Sequence, residues 1–159
     1  MPPSRSCYVE RKCLELSAHS SKLTAHRYLF HPRGHTMQKF QQLDIWKKAH
    51  LLVLHIYRIS ANLPSSESLG LVSNLRRTAI QIAKSIAEGA GRDSDAEFAL
   101  DLKRARAAGH ELEYLVLLCR DLGFFAEEVH DEIAAQIIEV RKMTSGLIKR
   151  VTAIPEPVR

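Results

Sequence analysis

The stretch Ile86-Ala87-Glu88-Gly89-Ala90-Gly91-Arg92-Asp93-Ser94-Asp95-Ala96-Glu97-Phe98 holds one helix end and the next helix start. Gly89 and Gly91 close the first helix, because glycine takes the left-handed C-terminal conformation at little cost. Ser94-Asp95-Ala96-Glu97 is an S-x-x-E capping box that opens the second. A connection this short makes the two helices antiparallel neighbours.

Reading outward from that turn, apolar residues recur at spacings of three, four and seven, the helical signature. Downstream, a segment from Asp95 to Leu122 carries the inward stripe Phe98, Leu102, Ala105, Leu112, Leu115 and Cys119, and Leu122-Gly123 ends it. Ala105, Ala107, Ala108 and Gly109 form a small-residue patch suited to close approach of a neighbouring helix. A last segment runs from Ala126 to Val151 on Val129, Ile133, Ile137, Val140, Leu147 and Val151, with Gly146 a weak point. Upstream, Ser66 to Ala90 buries Leu71, Leu75, Ile82 and Ile86, with Val72, Ala79 and Ala83 beside them. Ser65 or Ser66 is the expected cap there. The first segment, Gln38 to Ala61, has two apolar stripes. One is Ile45, Ala49, Leu52, Ile56 and Ile59; the other is Phe40, Leu43, Trp46, His50, Val53 and Tyr57. A helix apolar on most of its circumference needs burial on more than one side, so an interface with other copies is expected besides the core. Pro64 disfavours helix at the residue before it and stops the segment. The expected architecture is all-α: an antiparallel up-down four-helix bundle over 37–151, forming a homo-oligomer through the second stripe of its first helix.

The rest of the chain fits this frame. It has 159 residues, 45% apolar and 26% charged, close to the globular average. No run of about 18 apolar residues exists, so no membrane span is expected. The three cysteines, Cys7, Cys13 and Cys119, contain no C-x-x-C pair. A disulfide framework or zinc ribbon is therefore not expected, and a reducing cytoplasm suits the chain. Residues 1–36 hold six Lys/Arg and two acids, whereas 37–159 hold seventeen and sixteen. The basic pI of 9.3 thus reports mainly on the N-terminal segment. That segment lacks a sustained period and is rich in Ser and His, so it reads as a disordered or non-native extension, with Met37 a candidate start. Residues 152–159, with Pro155 and Pro157, read as a flexible tail.

The string from Ile86 to Phe98 resembles the I-A-E-G-x-x-R-x-S-x-x-E-F hallmark of a bacterial four-helix-bundle family, the ribosomal-RNA intervening-sequence proteins. Phe40-x-x-Leu43-x-x-Trp46, Tyr57, Leu63-Pro64 with Glu67, Leu75-Arg76-Arg77-Thr78-Ala79, Glu111-Leu112-Glu113 and Leu122-Gly123 match as well. The resemblance covers about Met37 to Val151. It implies a small bundle that forms a ring, commonly a pentamer, with no established catalysis. Some relatives are encoded within ribosomal RNA genes. A similar fold is the accessory protein of diversity-generating retroelements, a basic ring that binds a reverse transcriptase and nucleic acid. Gln81, Ser85 and Ala107-Ala108 depart from the family's usual residues.

Candidate functional residues are cationic. Arg77, Gln81 and Lys84 share a face of the second helix, and Lys103, Arg106 and His110 a face of the third. Arg76, Arg92 and Arg104 are near them in sequence. Such faces neutralise phosphates without reading bases. The competing expectation is a solvated face with ion pairs such as Arg104 to Asp101 or Glu111. Glu88 beside Arg92 is expected to pin the turn between the helices. Glu127-x-x-His130 has di-iron spacing, but the chain holds no second Glu-x-x-His. No phosphate loop, nucleophile elbow or hydrolase triad is visible. The chain therefore reads as non-enzymatic, without cofactor or metal. Its expected partners are other copies of itself and RNA, DNA or a nucleic-acid-handling protein; the alternative is a purely structural or protein-interaction ring.

Overall fold

A computed structural model describes residues 39–67 and 69–153, and among them four α-helices form the framework. The readings made for residues 1–36 and for the tail beyond residue 153 lie outside the described residues. A 3-10 turn at Phe40–Gln42 leads into α1, Asp44–Ser60. A second 3-10 turn, Ser65–Glu67, precedes α2, Leu71–Ala90. Then come α3, Asp95–Asp121, and α4, Glu127–Thr152. Contacts run α1–α2, α2–α3, α3–α4 and α4–α1, with none across a diagonal. This is an up-down bundle whose sequential helices are neighbours. The α2–α3 seam is the most extensive and α1–α4 the least. None of the described helices is long and apolar enough to cross a membrane.

The core is built from the stripes that the periodicity marks. Ile45, Ala49, Leu52 and Ile56 of α1 meet Leu75, Ala79, Ile82 and Ile86 of α2. Leu102, Ala105 and Leu112 of α3 and Ile133, Ile137 and Val140 of α4 complete it. The second apolar stripe of α1 is not enclosed. Phe40, Trp46, His50 and Val53 stay half-buried and Tyr57 is exposed. Phe40 packs edge-on to Trp46, with ring centroids 4.9 Å apart, and Trp46 stacks on His50 at 5.0 Å.

The helix ends both follow and correct the sequence reading. Ser94 caps α3 as expected: its Oγ accepts the Glu97 N–H at 3.2 Å and donates to the Glu97 carboxylate at 3.1 Å. In contrast, α2 starts at Leu71 and not at Ser66, and no side chain caps it. The serines at 65 and 66 are used in the 3-10 turn after Pro64, where the Glu67 N–H donates to the Pro64 carbonyl. The first helix likewise begins at Asp44, because Leu43 is extended. Gly91 keeps a φ of -96° and Gly89 lies inside α2. The only glycine with positive φ among the described residues is Gly123, at 75°. There the Phe124 N–H donates to the Cys119 carbonyl and the Gly123 N–H to the Arg120 carbonyl, both at 2.8 Å. That pair of bonds is a Schellman motif, which turns the chain from α3 into α4. Gly89 serves close approach instead. A Cβ there would lie 2.6 Å from the Phe98 ring and 3.1 Å from the Asp101 Cβ. The last helix runs on through Thr152.

Candidate nucleic-acid interface

The cationic candidates separate into three places. Arg76, Arg77 and Lys84 line one open groove of about 520 Å3 along the outer side of α2. Tyr57 of α1 forms part of its wall, with Val72, Ile80 and Gln81. The spacing of 73, 77, 80 and 84 keeps these positions on the solvent side while Leu75, Ala79, Ile82 and Ile86 face the core. Arg76 lies over the Tyr57 ring, 4.9 Å from its centroid, and donates to Ser60 Oγ at 2.8 Å. Arg77 donates to the Asn74 side-chain oxygen at 2.5 Å. Both arginines are thus oriented by neutral partners, and neither makes an ion pair among the described residues. Lys84 pairs with Glu88 at 3.4 Å on the exposed side of the helix. Such exposed pairs are weak and easily exchanged for another anion.

Arg92 and Arg104 are committed elsewhere. Each donates to Asp101 at 2.7 Å, Arg92 to one carboxylate oxygen and Arg104 to the other. Asp101 is 1% exposed. The Asp101 hydrogen bond and charge raise the Arg92 pKa above the ordinary arginine value. Burying a carboxylate is costly unless charge and hydrogen bonds meet it, and two guanidinium groups do so here. The Arg104–Asp101 pair was one of the ion pairs read from spacing. The role given to Glu88 is corrected: Glu88 reaches Lys84, and Asp101 pins the turn to Arg92. The reason is burial, since Asp101 sits inside the seam that Gly89 opens.

Lys103 and Arg106 form the third group, and neither makes an ion pair among the described residues. Lys103 points outward from α3. Arg106 is half-exposed and lies toward α4: one turn on, Gly109 packs against Arg141, and Glu113 pairs with that arginine. The shared face of Lys103, Arg106 and His110 therefore does not merge with the groove on α2.

Tyr57, Asn74 and Ile80 were missed as site residues. Tyr57 was assigned to an apolar stripe, and only the α1–α2 crossing brings it to the arginines. Asn74 carried a signal, being three residues before Arg77 on the same face.

Other chemistry is thin. Glu127, His130 and Asp131 bring ligand atoms within 4.8 Å of one another. Glu127 and Asp131 are exposed, and Glu127 also faces Arg120 at 3.6 Å. The trio sits in the first turns of α4, where acids favour the positive helix end. Burial, with the Glu67 charge adding, pushes the Cys119 thiol up to about 11. It is protonated at neutral pH and enclosed, the opposite of a reactive thiolate.

A crystal structure of a protein with unknown function from the S23 ribosomal protein family of Bacteroides thetaiotaomicron VPI-5482 is similar, with a TM-score of 0.63. The similarity covers 66% of this chain and 95% of that one at 21% identity, which bears on the fold. A search of curated proteins finds no match. The model of the 23S rRNA-intervening sequence protein family matches residues 41–146. Its span includes the capped turn, the groove on α2 and the Asp101 clamp, and the chain belongs to that family.

Proposed function

We propose that the chain is a non-enzymatic, homo-oligomeric binding module that holds nucleic acid through the groove on α2. One observation carries the reading: Arg76 and Arg77, oriented by neutral partners, and Lys84 line one open groove beside Tyr57. Three cations along one helix face track a phosphate backbone, and Tyr57 holds the Arg76 guanidinium at its edge. The family description names 23S rRNA, so RNA is the first ligand to test. A reducing cytoplasm suits the free, buried Cys119.

The test is filter retention of a labelled structured RNA by the full chain at several salt concentrations. Arg77→Glu with Lys84→Glu is expected to cut retention at least about tenfold at low salt. The parent's log-affinity should fall against log-salt with a slope of about -2 to -3 for three phosphates. Retention that is unchanged by the double variant overturns the reading. Lys103→Glu with Arg106→Glu separates the third group from the groove.

A second reading is favoured by the half-buried ladder of Phe40, Trp46 and His50 on α1. It is a protein-interaction or structural ring, of five copies as the family resemblance implies, without a nucleic-acid role. Its assembly would resist salt, because apolar burial is not screened.

A further inference from the structure

The outer face of α3 is symmetric about Ala107. Leu100 lies seven residues before Ala107 and Tyr114 seven after. They are 55% and 61% exposed, large apolar groups left in water. Lys103 lies four residues before Ala107 and Glu111 four after, and both are exposed. Spacings of four and seven keep all five positions on one helix face. The inner three-residue pair, Arg104 and His110, flanks them.

We propose that this face docks a second copy of this chain, antiparallel, across a two-fold axis through Ala107. In a two-fold contact residue i meets j and j meets i. Turning α3 over on itself sets Leu100 against the second copy's Tyr114 and Lys103 against its Glu111, each pair formed twice. Ala107 is the single position that meets itself, and it is the smallest side chain on the face, so the helices can approach at the crossing. Lys103 is without an ion-pair partner among the described residues. Glu111 accepts from Thr78 through one carboxylate oxygen, at 3.0 Å, and keeps the other. A parallel arrangement would set Lys103 against Lys103 and Glu111 against Glu111, so charge selects the antiparallel one. The same carboxylate in mid-face disfavours a phosphate backbone, which distinguishes this surface from the groove on α2. The contact does not depend on that groove or on the aromatic side of α1.

The experiment is sedimentation equilibrium of the full chain over a wide concentration range, with circular dichroism melts as a folding control. Lys103→Glu alone and Glu111→Lys alone are each expected to weaken the two-fold association about tenfold, since symmetry applies every change twice. Lys103→Glu leaves the Thr78 bond in place, so its effect does not pass through that contact. The swap Lys103→Glu/Glu111→Lys is expected to restore association to within about threefold of the parent, because the pairs re-form with signs exchanged. Ala107→Arg brings two guanidinium groups together at the axis and should abolish the contact while the chain keeps its helical circular dichroism and a cooperative melt. A swap that fails to restore association overturns the proposal. So does a mass unchanged by Ala107→Arg, and a gain of RNA retention in Glu111→Lys would then hand the face to nucleic acid.

Discussion

Two seams of the bundle solve the same packing problem with different means. Between α2 and α3 the chain uses specific devices: a glycine against an aromatic ring, a buried carboxylate held by two arginines, and a capped helix start. Between α1 and α4 the named polar contacts are peripheral. Lys48 meets Glu139 at 3.0 Å and His55 meets Gln136 at 3.1 Å. The first seam joins helices four residues apart in sequence, so its contacts form at small loop-closure cost. The second joins the first and last helices and must wait for the rest. The lesson is that specificity is concentrated where the connection is short, while the closing seam relies on apolar stripes. That leaves α1 as the helix with the least exclusive commitment to its own bundle.

The two seams should differ in how much a single substitution costs them. The largest effect is expected from Leu102→Ala in α3, where the side chain is fully buried. Such truncations cost about 2–5 kcal/mol, read as a lower urea midpoint. Gly89→Ala should cost less, about 1–2 kcal/mol, because the clash with Phe98 is offset in part by better helix propensity. Pairing it with Phe98→Leu should recover part of that loss, and full additivity in the double-mutant cycle would deny the close contact. The smallest effect is expected for Lys48→Ala, under about 0.5 kcal/mol, since both partners are partly exposed. Amide exchange sharpens the same contrast: α1 should open at lower free energy than α2 and α3. Equal protection of all the helices would mean that the seams are equally firm.

The helices were legible because each writes its buried stripe at a regular period. The capping box at Ser94 was legible because its two side chains are local. The start of α2 was not, since Ser65 and Ser66 satisfy a turn as readily as a helix cap, and Pro64 decides between them. The left-handed glycine was misplaced for a similar reason. Gly89, Gly91 and Gly123 look alike in sequence, but Gly89 is set by what it packs against. For the candidate site, spacing within one helix could say only which cations share a face. It could not say that Asp101 would take Arg92 and Arg104, nor that Tyr57 would cross to Arg76. Those facts live in the packing between helices.

The absence of any diagonal contact gives the molecule a simple valence. α1 and α3 stand at opposite corners, so occupying one outer face does not occlude the other. A two-fold contact through α3 terminates itself after one partner, whereas a head-to-tail contact through α1 continues until it closes. In an assembly using both, the α3 contacts would join one closed unit to others, and disabling α3 would separate the units while leaving each whole.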